Sequence, residues 1–435
     1  MLPPPGLSIE TMSRRIRAGD VTPSQLIESC LARIREREPE VKAWVRIAGD
    51  EARAQAELLG RELETDEPRS ELHGIPVGVK DIYDTAGLAT ELGSPLERGR
   101  VPAKDSALVA KLRSQGAIVI GKTHTTGYAY FDPAPTCNPH NLGHTPGGSS
   151  SGSAAAVADG MVPFAVGSQT MGSVLRPASY CGVVGFKPSY GALSLEGVQA
   201  FAPTFDHAGF FTTSVNDMSL VWSALGGDRV FGSTFPDKIA APPWPIEGEL
   251  EAPMREGFAA AIELLRAGGI AVEETALPES FQALPRATLE LLTREAATVH
   301  AERFEEHGEA IGAKLAELVE RGLSIGPEAY AAASAAIAQA RDDYAAWAAR
   351  YPIVLTPAAL GPAPAGLEST GDPRANAPWT SIGVPAISVP FGLAEGSLPL
   401  GAQLSARRGD EGLLLATAKA LEQAFANEPR QHAFG

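Results

Sequence analysis

Two serine-bearing glycine turns and one upstream lysine are the residues of this chain whose types and spacing could do chemistry. The first turn, Gly147-Gly148-Ser149-Ser150-Ser151-Gly152-Ser153, runs straight into Ala154-Ala155-Ala156-Val157, and the second, Gly172-Ser173, follows a short helix-and-strand pattern. Lys80 ends the apolar stretch Gly74-Ile75-Pro76-Val77-Gly78-Val79. Serine is a poor nucleophile until a base takes its proton, and lysine is such a base only where burial keeps it uncharged. Neutrality near pH 7 needs a fall of roughly three units from about 10.4, which burial without a close carboxylate can impose. Asp81, next along the strand, points to the other face.

A Gly/Ser run by itself reads as a flexible linker. Here it leads into a helix start, so its backbone N–H groups are expected in a fixed turn at a helix N-terminus, a place for polar chemistry. Around Ser173 the N–H groups of Thr170 to Ser173 can converge on one oxygen, with Gly172 permitting close backbone approach. Such donors suit a tetrahedral oxyanion, each contributing about 3 kcal/mol to the transition state.

The elements that must hold these residues alternate. Ile9, Met12 and Ile16 share a helical face that Gly19 ends, and Thr22-Pro23-Ser24-Gln25 reads as a capping box opening a second helix through Leu26, Ile27, Cys30, Leu31 and Ile34. Ile75 to Val79 predicts a strand, Asp105 a cap for a helix carrying Leu108, Val109 and Leu112, and Ala117-Ile118-Val119-Ile120 a buried strand. The pattern repeats with a helix over 153–158, a strand near 162–166 and an extended segment over 183–187. Residues 238–252, rich in proline and acidic groups, predict an exposed connection, with helices from about 253 to 350. Strands return at 353–355 and 386–390, and an amphipathic helix near 412–425 closes the chain. This alternation predicts an α/β protein whose sheet is covered on both faces by helices.

No linker or low-complexity tract divides the 435 residues, so one domain over 1–435 is expected: N-terminal helices to about 70, a core of about 71–225, then a helical region and a return to the sheet. A net charge of -16 repels phosphate backbones and anionic membrane surfaces, so no direct nucleic-acid contact is expected. The N-terminus carries no secretory pattern and no segment approaches the ~20 apolar residues of a membrane span, which with three unpaired-looking cysteines predicts a cytoplasmic protein.

The motifs resemble those of the amidase signature family, whose members cleave amides with a Lys, cis-Ser, Ser triad. The resemblance rests on Leu72 to Asp81, Gly121-Lys122-Thr123, Asn138-Pro139-His140, Pro146 to Ala156, Gly167-Ser168-Gln169-Thr170-Met171-Gly172-Ser173, Cys181 to Ser189, Gly383-Val384-Pro385-Ala386 and Pro399 to Gln403. It implies a single large α/β/α sandwich with a mixed, twisted sheet. It also implies Lys80 as base, Ser149 on a cis peptide after Gly148 as bridge, Ser173 as nucleophile, and Thr170, Met171, Gly172 and Ser173 as backbone oxyanion donors, with no metal or organic cofactor. Two departures stand out. Met171 replaces the commoner glycine, and the arginine sits one place later than in Gly-Gly-Ser-Ile-Arg, at Arg176, as in the branch that includes malonamidase. There an arginine can pair with a substrate carboxylate; the other reading of Arg176 is a structural ion pair. The implied activity is hydrolysis of a small carboxylic amide to acid and ammonia or amine. The alternative is the glutaminase component, of A-subunit type, of a tRNA-dependent amidotransferase, and a homodimer stays open.

Four other patterns compete. Gly116 to Thr123 fits G-x-x-x-x-G-K-T, but a strand occupies the interior where a phosphate loop must curl. Gly148 to Gly152 fits G-x-S-x-G with Ser150 as nucleophile, but no apolar strand precedes it, and a triad needs His207, His300, His307 or His432. His140 and His144 lie on a Pro/Gly loop, not on the helix a metal pair at that spacing needs, and Cys181 has no base placed for it.

Overall fold

The apolar runs of the sequence become the middle of one large sheet. The computed structural model describes residues 8–230, 232–243, 250–426 and 433–434. Its strands are β1 (Trp44–Ile47), β2 (Pro76–Lys80), β3 (Ile118–Thr123), β4 (Phe164–Gln169), β5 (Val184–Lys187), β6 (His207–Thr212), β7 (Ile239–Ala240), β8 (Val272–Glu273), β9 (Ile353–Pro357), β10 (Ala386–Ala394), β11 (Pro399–Ala406) and β12 (Ala433–Phe434). They pair in the order β1-β3-β2-β4-β6-β5-β10-β11-β9-β7-β8, with β12 against β10. β2 is parallel to both β3 and β4, whereas β4-β6, β6-β5, β5-β10, β10-β11 and β11-β9 are antiparallel, so the sheet is mixed.

Helices cover both faces: α1 (Ile9–Arg17), α2 (Pro23–Val41), α3 (Gly49–Glu62), α4 (Ala107–Ser114), α5 (Ser151–Ala158), α6 (Leu175–Cys181), α7 (Val215–Ala224), α8 (Ala252–Ala267), α9 (Leu284–His307), α10 (Ala313–Leu323), α11 (Pro327–Trp347), α12 (Ala377–Ser381) and α13 (Glu411–Ala426). The period of two along the strands sorts side chains between the two layers. Val119 of β3, Phe164 and Val166 of β4 and Phe210 of β6 join one apolar cluster with α4 and α7. Ile118 and Ile120, Ala165 and Phe211 join the other, with Ile27, Leu31 and Ala52 of α2 and α3 and the alanines of α5. The fold is therefore the single α/β/α sandwich expected.

The capping box is present: Gln25 N–H reaches Thr22 Oγ1 at 3.2 Å and the Gln25 side chain accepts from Thr22 N–H at 2.9 Å. Asp105 is not the cap of α4. Its Oδ1 accepts from Ala86 N–H at 2.7 Å and its other oxygen meets Arg113, while Ser106 holds the cap position. The 238–252 connection contains β7, and residues 244–249 of it lie outside the described residues. Among the described residues no helix is long and apolar enough to cross a membrane.

Candidate active site

Lys80 is the last residue of β2 and shares the face of Gly78, which packs on Trp44 and Thr123 and so looks toward the layer holding α5. That layer supplies the first serine turn. Gly152 lets the start of α5 press onto the sheet, since a Cβ there would fall 2.1 Å from Ala43 O and 2.5 Å from His124 N. The run's serines then divide. Ser150 Oγ bonds the Ser168 carbonyl and accepts from its N–H, both at 3.2 Å; Ser151 Oγ donates to Gly147 O at 2.7 Å and Ser153 Oγ to Val166 O at 2.8 Å. Ser149, on a cis peptide after Gly148, is the one whose hydroxyl meets Lys80 Nζ, at 2.7 Å.

Lys80 is fully buried, and its second partner is Ser168 Oγ at 2.8 Å. Burial drives its ammonium well below the usual lysine range, opposed by the negative charge of Asp206. The amine thus sits between two hydroxyls in surroundings that disfavour its charged form.

The second turn is pinned from three sides. Gln169 Oε1 accepts from Val174 N–H at 2.8 Å and Leu175 N–H at 3.0 Å, and its Nε2 donates to Thr380 Oγ1 at 2.9 Å. Thr380 Oγ1 donates to Met171 O at 2.7 Å, and Thr170 Oγ1 donates to Asp206 at 2.6 Å. The N–H groups of Thr170, Met171, Gly172 and Ser173 have no acceptor among the described residues. Ser173 lines the same small cavity, about 30 Å³, as Ser149 and Arg176. Its hydroxyl makes no hydrogen bond among the described residues, so the Ser149 to Ser173 link is not closed here. Through Tyr130, Phe131 and Thr370 the cavity adjoins a wider one of about 220 Å³ carrying Lys314 and Arg321.

Arg176 is 2% exposed and forms no ion pair among the described residues; Nε donates to Thr370 O at 2.7 Å and Nη2 to Gly148 O at 2.7 Å and Thr370 Oγ1 at 3.2 Å. It braces the carbonyl just before Ser149. Its Nη1 has no partner, and Asn376 Oδ1 beside Gly172 has none either.

The rival patterns do different work. Lys122 is buried in β3, bonding Tyr83 O, Thr85 Oγ1 at 3.1 Å and Thr90 Oγ1 at 3.0 Å, so it faces no phosphate site. Ser150 is spent on β4. His207 and His300 are held neutral by burial, His140 Nε2 contacts the Cys181 carbonyl at 2.9 Å, and His432 lies outside the described residues. Burial pushes the Cys181 thiol up, away from thiolate chemistry. Sequence reasoning missed Ser168, Gln169, Asp206 and Thr380. Only the sheet pairing, which sets Val79 beside Val166, puts Ser168 near Lys80.

Comparison with known proteins places the chain among relatives along nearly its whole length. The sequence profile of the Amidase family matches residues 25–415. The A subunit of glutamyl-tRNA(Gln) amidotransferase from Geobacillus kaustophilus is 33% identical, covering 96% of this chain and 97% of the relative. Its counterpart from Bacillus licheniformis is 32% identical, with 96% of both covered. A crystal structure of an amidase superposes with a TM-score of 0.88 at 30% identity, covering 96% of this chain and 99% of the other.

Proposed function

The chain belongs to the amidase family and is an amide-hydrolysing enzyme, and from that premise we propose that it works through a Ser173 acyl-enzyme served by Lys80 and Ser149. The observation that carries the reading is the fully buried Lys80 amine, its pKa driven down by burial, 2.7 Å from the Oγ of Ser149, which shares a cavity with Ser173. Lys80 takes the Ser149 proton while Ser149 takes that of Ser173, whose Oγ attacks the amide carbon. The N–H groups of residues 170–173, free of other acceptors, receive the oxyanion. The relay then returns a proton to the leaving nitrogen, and water resolves the acyl-enzyme.

For the biological setting, the curated relatives favour the glutaminase component of a tRNA-dependent amidotransferase over the free small-amide amidase that the motifs suggest. The second reading, a free-standing amidase akin to the malonamidase branch, is supported by one specific feature. Arg176 lines the cavity of Ser149 and Ser173, and its buried Nη1, without a partner, is suited to a substrate carboxylate.

The purified chain alone, assayed for ammonia release from glutamine and from mono-amides of dicarboxylic acids, separates the two. Turnover of the mono-amides without partners supports the free amidase; glutamine turnover only with added partner subunits supports the amidotransferase. Full activity of Ser173→Ala on any of them removes the acyl-enzyme reading.

A further inference from the structure

Behind the catalytic turn lies a chamber of about 300 Å³, ten times the volume of the cavity that holds Ser149 and Ser173. The two meet at Ala129, Thr170 and Phe201, which line both, and the chamber reaches Ser168, the second partner of Lys80. Its walls are largely apolar, with Leu193, Leu195 and Val198 among them. Polar residues interrupt this surface, Ser168, Thr170 and Gln199 among them, and two further ones, His207 and Asp206, stand side by side. His207, 3% exposed, holds Nδ1 2.6 Å from the Phe205 carbonyl. A carbonyl only accepts, so Nδ1 carries the proton and Nε2 is a bare acceptor, which has no partner. Gln169 also turns its backbone carbonyl toward this ring, but an acceptor cannot satisfy a lone pair. Burial and the Lys187 charge keep the imidazole neutral. Beside it, the Asp206 carboxylate accepts from Thr170 Oγ1, Phe201 N–H at 2.8 Å and Ala202 N–H at 3.1 Å, three of its roughly four acceptor directions.

We propose that this chamber is the nitrogen-side subsite of the reaction, taking a small apolar amine whose N–H groups face acceptors and whose hydrocarbon lies against Leu193, Leu195 and Val198. The inference rests on the Ser173 acyl-enzyme reading and extends it to N-substituted amides. The chamber lies on the Lys80 side, from which the departing nitrogen draws its proton. Ammonia alone would leave most of this volume and its apolar wall unused. In the forward step the C–N bond breaks, the nitrogen gains the relayed proton, and the neutral amine moves into the chamber while the acyl group stays on Ser173 Oγ. In reverse, an amine held there attacks the Ser173 ester: a C–N bond forms, the ester C–O bond breaks, and the amine proton returns to Ser173 Oγ through Ser149 and Lys80.

The reverse step gives a test that works whatever the natural acyl group is. The full chain is acylated with p-nitrophenyl acetate in the presence of ammonia or n-butylamine, and the amides formed are measured against acetate by mass spectrometry. The expected result is a nitrophenolate burst, then N-butylacetamide formation that saturates with butylamine and exceeds acetamide formation at equal free-base concentration. Leu195→Trp and Val198→Phe, which fill the chamber from different points of its wall, should each lower the butylamide-to-acetamide ratio by about tenfold or more. A burst without preference for butylamine, or a preference that both filled variants keep, overturns the chamber assignment and leaves the acyl-enzyme standing. Absence of a burst overturns the acyl-enzyme and the inference with it.

Discussion

Replacing Ser168 by alanine isolates the contribution of a hydroxyl that lies within one of the family motifs but was given no role there. Ser168 Oγ sits 2.8 Å from Lys80 Nζ, while its backbone remains anchored through Ser150, so the substitution removes one bond and leaves the strand in place. A buried amine N–H without a partner costs about 1–3 kcal/mol. If that cost falls on the orientation of the base toward Ser149 in the transition state, kcat drops about 5- to 150-fold, since each 1.36 kcal/mol is tenfold. The pH profile supplies a second, independent sign. In the proposed relay activity needs the neutral amine and so rises with pH through the Lys80 pKa. A hydroxyl oxygen accepts more strongly from ammonium than from amine, so its loss disfavours the charged form and moves the acid limb to lower pH. A cleft merely loosened and wetted would move that limb the other way, toward the ordinary lysine value. The assay is kcat/KM for a cleaved amide across about pH 5–10, with Ser168→Thr as the conservative control whose extra methyl can enter the adjoining chamber. A plateau within about twofold of wild type, or a limb displaced upward, would refute the reasoning.

Lys80→Met should abolish turnover and raise the melting temperature at pH 7. The folded-state pKa of Lys80 lies below its unfolded value, so the unfolded chain binds the extra proton and wild-type stability rises with pH up to about 10.5; the gain from methionine should therefore shrink as pH approaches that value in calorimetry. Gly172→Ala places a Cβ 2.6 Å from Asn376 Oδ1 and 3.2 Å from Arg176 Nη1, which displaces the turn proposed to receive the oxyanion; kcat should fall by about 10²-fold or more with little change in KM in steady-state assays. Thr380→Val removes the bond to Met171 O and the acceptor for Gln169 Nε2, and a kcat loss of about tenfold is expected, with the Ser173 burst slowed rather than absent.

What the sequence carried and what it withheld follow from the range of the interactions involved. Thr22 and Gln25 form their capping box within one turn, and the strands Pro76–Lys80, Ile118–Thr123 and Phe164–Gln169 announce themselves as apolar runs, because burial on both faces leaves no polar alternation. By contrast β6 and β11 carry His207, Thr212, Gln403 and Ser405, polar residues that the folded sheet buries and that break up the apolar run, so neither strand was legible. The same rule governs the site. Lys80 and the two serine turns are marked by local glycine and helix-start patterns, yet which hydroxyl of Ser149, Ser150, Ser151 and Ser153 faces the amine is decided in large part by bonds to Ser168 and Val166 that need the folded sheet, Ser151 alone turning back onto the nearby Gly147. Asp105, locally a good cap, is drawn away by Ala86 and Arg113, partners that only the fold supplies. Arg176 shows the limit most clearly: its residue type suits a carboxylate, but three of its bonds go to Thr370 and to the carbonyl preceding Ser149. A ligand carboxylate can therefore claim only Nη1, so substrate recognition and the shape of the Ser149 loop are borne by one guanidinium, and a change of substrate by mutating it should disturb both at once.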